Sequence, residues 1–180
     1  MSLSNKQILK NSLPIAFTYI TLGITFGVLF SQKGGSALET FLIALFCFAG
    51  SAQFIAIEFY GPNNSLAILF STVFLVNIRH SIYSFSFLNM WKGWKRIYLF
   101  SALTDENFGV SQFYRQLTPT DSEWVKIFSL NHIYWIIGCV LGNFTPPELI
   151  ESFQGSEFSL TALFVAIFTS SIKKRMTSNG

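Results

Sequence analysis

Charge is scarce in this sequence. Asp, Glu, Lys and Arg make up 12% of its 180 residues, about half the share of an ordinary soluble domain. Twelve Lys and Arg against nine Asp and Glu leave a net charge of +3. That is too weak and too dispersed for a nucleic-acid footprint, so no nucleic-acid partner is expected. Only two cysteines occur, Cys47 and Cys139. Both fall inside apolar stretches and offer neither a disulfide framework nor a metal-ligand spacing, and no metal or other cofactor is expected. No Walker A pattern is present in the chain, which excludes an ATP-hydrolysing engine within it. Disorder is excluded by the aromatic fraction of 17%, because disordered chains are poor in aromatics and rich in charge. What is abundant is apolar: 51% of residues are hydrophobic, 21 are Phe, and mean hydropathy is +0.45. A chain this short must show much of its surface to its solvent. The expected fold class is therefore all-α, a polytopic helical integral membrane protein solvated by lipid.

Runs free of charge cover 11–32, 40–57, 59–78, 127–147 and 158–172. A span needs about 20 apolar residues to cross a hydrocarbon core about 30 Å thick. Gly34-Gly35-Ser36 and Gly61-Pro62-Asn63-Asn64 separate the first three runs. The expectation is one transmembrane domain over 1–180 with six segments: 13–32, 40–59, 66–90, 97–113, 126–144 and 158–172. The first resembles a signal peptide in having Lys6 and Lys10 before it, but it is long, polar-punctuated and lacks an A-x-A site, so it is read as a span. Simple alternation puts Lys6, Lys10, Arg115, Lys126, Lys173, Lys174 and Arg175 on one side and Lys33, Lys92, Lys95 and Arg96 on the other. Seven against four places the N-terminus in the cytoplasm. The cluster Lys92, Lys95, Arg96 argues against this, unless one segment enters and leaves on the same side.

Three places break the apolar pattern. An ionisable group in a bilayer costs about 2.5–3.5 kcal/mol on insertion scales, so it has a partner or a task. In FAGSAQF, 48–54, Gly50 and Ser51 lower helix propensity and Gln53 adds an amide. This predicts a broken helix near Gly50-Ser51 that frees backbone groups for a ligand, or else close packing through small residues. In VNIRHSIYS, 76–84, Asn77, Ser81 and Ser84 share one helical face, and Arg79 and Tyr83 lie roughly opposite. Neither face suits lipid, although Arg79 could instead snorkel to the interface. In TDEN, 104–107, four consecutive polar residues nearly encircle a helix, so the helix breaks or is encased, unless 92–126 is a long extramembrane loop with 97–103 dipping in. Asp105 or Glu106 is expected within reach of Arg79, countering it, binding an ammonium or carrying a proton. Two GxxxG patterns, Gly23 with Gly27 and Gly138 with Gly142, suggest close helix contacts. His132 with Asn131 could be polar lining, but the simpler expectation is the interface, beside Tyr134 and Trp135.

The stretch from Leu13-Pro14-Ile15-Ala16 through Gly23 and Gly27, FAGSAQF (48–54), VNIRHSIYSFSF (76–87) and LTDENFG (103–109) resembles the AzlC-type branched-chain amino acid permeases. The match runs from about Leu13 to Phe113 and continues more weakly beyond. It implies the large subunit of a bacterial inner-membrane exporter of leucine, isoleucine and valine, working with a small AzlD-type membrane subunit. It also implies further hydrophobic segments, from which the basic and polar ending 173–180 departs.

These readings converge on a secondary transporter, coupled to protons or another ion, and not an enzyme. The candidate binding and coupling residues are Gly50, Ser51, Gln53, Asn77, Arg79, His80, Asp105, Glu106 and Asn107. A zwitterionic substrate needs a carboxylate site, supplied by Arg79 or by backbone near Gly50-Ser51, and an ammonium site, supplied by Asp105 or Glu106. The alternative is a non-transporting membrane scaffold or truncated relic. A lesser one is an intramembrane hydrolase with a dyad of Ser51 and His80, for which no nucleophile elbow is present.

Overall fold

Breakers and caps set the helix boundaries in the computed structural model, which describes residues 4–61, 64–114 and 117–148. Helix α1 (Asn5–Gln32) continues through Pro14 and stops at Gly34, whose φ of 92° suits glycine. Ser36 then caps α2 (Ala37–Phe46): its hydroxyl accepts the Glu39 N–H at 3.2 Å while Glu39 accepts the Ser36 N–H at 2.8 Å. This reciprocal pair satisfies two otherwise orphaned donors. The chain is extended over 47–49 before α3 (Gly50–Glu58). Helix α4 (Leu66–Phe85) is followed by turns, then α5 (Lys95–Ser101), a break at 102–104 and α6 (Asp105–Tyr114). Thr120 and Glu123 form a second capping box at the start of α7 (Asp121–Asn143). No strand occurs among the described residues.

Helices α1 and α7 run parallel and form the spine. A Cβ on Gly23 would lie 2.8 Å from the Cys139 N, and one on Gly138 would lie 2.7 Å from the Ile20 carbonyl oxygen. Gly27 and Gly142 leave even less room. The two GxxxG patterns therefore meet each other, and the absent side chains let the backbones touch. The remaining gap is filled by edge-to-face aromatics, with Tyr19 against Phe48 and Trp135 at 5.9 and 5.7 Å.

The stretches 40–59 and 97–113, each expected as one membrane segment and the first as a broken one, each form a hairpin. Helices α2 and α3 begin and end at the same end of the molecule. Tyr60 donates to Glu39 at 3.1 Å, Lys33 lies 3.9 Å from Glu58, and Tyr60 packs on Phe30 at 4.8 Å. Helices α5 and α6 form a second hairpin from the opposite end. There the Lys92 N–H donates to Asp121 at 3.0 Å, Lys95 donates to Ser122 at 2.6 Å, and Tyr114 stacks edge-on to Trp124 at 6.5 Å. The ten residues of α2 rise about 15 Å, half the thickness of a hydrocarbon core. Both breaks thus fall near the middle of the molecule, beside Asn131 and Trp135 of α7. The cause is local: each segment is interrupted where backbone groups find side-chain partners, so neither half is long enough to cross. The expected break near Gly50-Ser51 lies just before Gly50.

Three helical stretches are long and apolar enough to span a membrane among the described residues: Ser12–Gln32, Leu66–Phe85 and Asp121–Asn143. The hairpin arrangement places Lys92, Lys95 and Arg96 at the end that holds the start of α1, since Lys126 donates to Asn5 at 3.4 Å. The expected segment 158–172 lies outside the described residues.

Candidate functional site

Two buried amides hold the breaks open. Gln53, 1% exposed, donates from Nε2 to the Cys47 carbonyl and accepts at Oε1 from Trp135 Nε1 at 3.1 Å. Asn107, fully buried, donates from Nδ2 to the Ala102 carbonyl at 2.7 Å and accepts at Oδ1 from Asn131 Nδ2, also at 2.7 Å. Each amide sits early in the second helix of its hairpin and ties back to a carbonyl that the break has released. Each is in turn held by a side chain of α7. A third α7 residue, His132, pairs with the Ala44 carbonyl at 3.0 Å and stacks on Phe48 at 4.1 Å. Buried backbone groups without partners would be costly; these side chains replace the missing helical hydrogen bonds.

Between the breaks lies a hollow of about 300 Å³, at the lower end of small-molecule sites. Leu22, Phe54 and Trp135 form its apolar wall, and Ala49, Gly50 and Ser51 bring the start of α3 to it. Ala49 has no side chain that could cap that helix, so the positive dipole end of α3 lies uncapped at the edge of the space. Gly50 also keeps Trp135 close: a Cβ there would meet the indole at 3.2 Å.

Charge enters from α4 and α6. Arg79 Nη2 lies 2.7 Å from Asp105 Oδ2 and donates to Ser51 Oγ at 3.1 Å, linking α4 to both hairpins. One turn further, Tyr83 donates to the other Asp105 oxygen at 2.8 Å. The side chains of Arg79 and Asp105 are 40% and 21% exposed, so the pair is reachable from the hollow and is not sealed in the core. Arg79 Nε is buried and has no hydrogen-bond partner. Glu106 takes a different environment. Its Oε2 accepts from Tyr19 at 2.9 Å, and the Tyr19 hydroxyl meets Thr104 Oγ1 at 2.7 Å. Among the described residues no cation lies within ion-pair distance of Glu106.

Of the residues singled out in the sequence, Gly50, Ser51, Arg79, His80, Asp105 and Glu106 converge on this hollow. Gln53 and Asn107 stand behind it as braces. Asn77 faces elsewhere, beside Phe70, Phe74 and Ser81, with its Nδ2 on the Val73 carbonyl at 2.8 Å. Arg79 does not snorkel to an interface. Asn131, His132 and Trp135 are also not interfacial: the structure corrects that expectation by packing all three against the breaks. Their spacing, i, i+1 and i+4 within a charge-free run, was the available signal. Tyr19 carried none, since a lone tyrosine in an apolar helix looks like packing. Ser51 Oγ accepts from Arg79, and no hydrogen bond joins it to His80 among those found for the described residues, so the hydrolase dyad has no geometry.

A helical membrane protein with two broken hairpins closing on a charged, half-apolar hollow has the build of a carrier of small molecules. The chain belongs to the AzlC protein family, whose pattern matches residues 14–146. That family comprises transport proteins and not enzymes. The chain is 33% identical over 162 residues to the branched-chain amino acid transport protein AzlC of Bacillus subtilis, covering 87% of this chain and 63% of that protein. It is 33% identical over 174 residues to an uncharacterized membrane protein of Helicobacter pylori, covering 94% and 76%. It is 26% identical over 182 residues to the inner membrane protein YgaZ of Escherichia coli, covering 93% and 73%. No solved structure matches.

Proposed function

We propose that this chain is the large subunit of a secondary transporter that exports leucine, isoleucine and valine across the bacterial inner membrane. The observation that carries the reading is the hollow itself. An arginine, two carboxylates, an uncapped helix start and an apolar wall line a space of about 300 Å³. A branched-chain amino acid presents the matching set: a carboxylate, an ammonium and a short apolar side chain. Half-helices whose N-termini face an anionic ligand are a recurring device of secondary transporters. The name of the Bacillus subtilis relative supports the substrate class.

In this reading α1, α4 and α7 cross the membrane, and the two hairpins re-enter it from opposite faces. The N-terminal end is cytoplasmic, because it gathers Lys6, Lys92, Lys95, Arg96 and Lys126 against Lys33 at the other end. Transport is coupled to a proton or another ion and requires a small AzlD-type partner, which covers lipid-facing gaps in the large subunit. The test is export of preloaded radiolabelled leucine from cells lacking other leucine exporters. Expression of this chain with the partner should restore export. Full export by this chain alone would remove the partner from the proposal, and no export in either case would remove the function.

A further inference from the structure

The two adjacent carboxylates of the hollow, Asp105 and Glu106, differ in what already occupies them. Asp105 is spoken for on both oxygens: Oδ2 by Arg79 at 2.7 Å and Oδ1 by Tyr83 at 2.8 Å. The guanidinium it holds is not saturated, because Arg79 Nε is buried with no acceptor. A buried donor without a partner is costly until a ligand supplies one. Asp105 thus fixes an arginine that still has an N–H without an acceptor.

Glu106 is the converse. It has a hydrogen bond from Tyr19 at 2.9 Å but no cation within ion-pair distance among the described residues. A tyrosine hydroxyl has one proton to give. With that proton directed at Glu106, the 2.7 Å contact to Thr104 must be donated by Thr104, whose Oγ1 also accepts the Asn107 N–H at 3.2 Å. Tyr19, Thr104 and the Glu106 backbone N–H thus surround the Glu106 carboxylate with neutral donors, and no positive charge among the described residues offsets it. Tyr19 is rigidly placed by its edge-on contacts with Phe48 and Trp135.

We infer that the two acids divide the zwitterion between them: Glu106 binds the substrate ammonium, Tyr19 is its positioning residue, and Asp105 only presents Arg79, whose free N–H edge binds the substrate carboxylate. The inference rests on the proposed amino acid transport and assigns the two half-sites within it. Like charges stay apart in this arrangement, and the apolar side chain is left for Leu22, Phe54 and Trp135.

Three probes separate the half-sites: leucine, 4-methylpentanoate, which lacks the ammonium, and 3-methylbutylamine, which lacks the carboxylate. Their binding to the full chain, alone and together with the small partner, in lipid nanodiscs is measured by titration calorimetry. The wild type should prefer leucine to 4-methylpentanoate by roughly tenfold or more, as expected for hydrogen bonds to a charged group. Glu106→Gln should remove that preference by weakening leucine alone. Asp105→Asn should weaken leucine and 4-methylpentanoate together and leave 3-methylbutylamine unchanged. Tyr19→Phe keeps the ring and should reduce the preference partway, a change that a purely structural tyrosine would not produce. It carries the same readout if Glu106→Gln fails to fold. Leucine binding unaffected by Glu106→Gln, or leucine and 4-methylpentanoate weakened equally, overturns the assignment. So does Glu106→Gln that binds leucine normally but no longer transports it, which would make Glu106 a proton carrier. A wild type that binds none of leucine, isoleucine or valine sinks the transport reading itself.

Discussion

Hairpin one brings Cys47, Phe48, Ala49, Gly50 and Ser51 to the centre of the molecule, while hairpin two brings Ala102, Leu103, Thr104, Asp105 and Glu106. Both breaks are held by an amide from the following half-helix and by a side chain of α7. The scaffolding is the same, and the chemistry delivered is not. The first break offers backbone donors, kept available because small residues leave the start of α3 uncapped. The second offers carboxylates, placed on the first turn of α6 where a helix dipole tolerates negative charge. Preceded by α1 and α4, which run in opposite directions, the hairpins form two inverted halves. Such halves are the common architecture of alternating-access carriers. The difference makes a near-symmetric frame deliver a helix start from one side of the hollow and carboxylates from the other.

The comparison breaks most completely if either hairpin is a crossing helix. With Cys47 and Cys139 replaced by Ser, single cysteines at Ser36 and Tyr60 should react with an impermeant thiol reagent from the same face of the membrane. A cysteine at Lys95 should react from the opposite face. Labelling of Ser36→Cys and Tyr60→Cys from opposite faces would dissolve the inverted arrangement.

A large effect is expected at the joint between the halves. Asp105→Asn removes the charge partner of Arg79; the loss is about 3–5 kcal/mol for a fully buried pair, which is an upper bound for this part-exposed one. Protein level and thermal midpoint should fall, and Arg79→Gln added to Asp105→Asn should restore much of the level without restoring export. An unchanged midpoint in Asp105→Asn would show that the pair contributes nothing to joining α4 and α6.

The braces should be equivalent if the scaffolding is shared. Gln53→Ala and Asn107→Ala each leave a buried α7 donor, Trp135 Nε1 or Asn131 Nδ2, without its acceptor, for about 1–3 kcal/mol apiece. Denaturation midpoints of the two variants should drop by similar amounts. A loss confined to one variant would show that only that hairpin depends on its amide.

The smallest effect is at the rim of hairpin one. The Ser36 backbone N–H, its hydroxyl and the Tyr60 hydroxyl hold the exposed Glu39 carboxyl below its ordinary value of 4.5. A depressed carboxyl contributes stability above its unfolded value and loses it as pH falls through the folded one. Glu39→Gln should therefore sit slightly below wild type in thermal midpoint at neutral pH, and the gap should close as the pH falls below 4.5. A gap that persists in acid would mean that the cap does not need the charge.

Much of this was legible beforehand. The charge-free runs reported the apolar helices, because backbone in lipid must satisfy itself within helices. Gly50 and Ser51 reported a break, and Arg79 pointed to a nearby acid. By contrast, Gln53 and Asn107 looked like ligand-binding groups. An amide's donors and acceptors are the same whether it serves a substrate or a freed carbonyl, and only position distinguishes them. Trp135 looked interfacial for a similar reason, since its indole N–H needs a partner and its ring needs apolar neighbours. Gln53 and Phe26 supply both in the interior.

By itself, the sequence determined the helical membrane class, the glycine seam and the identity of the ionisable groups, because these follow from local composition and period. The hairpins and the division between Asp105 and Glu106 were decided by tertiary structure alone. A segment of about 20 residues has the same composition whether it crosses a membrane or turns back halfway. Only contacts such as Tyr60 with Glu39 and Lys95 with Ser122 settle its path. Neighbouring carboxylates are likewise equal along the chain, and they become different when Arg79 and Tyr83 reach one and Tyr19 reaches the other.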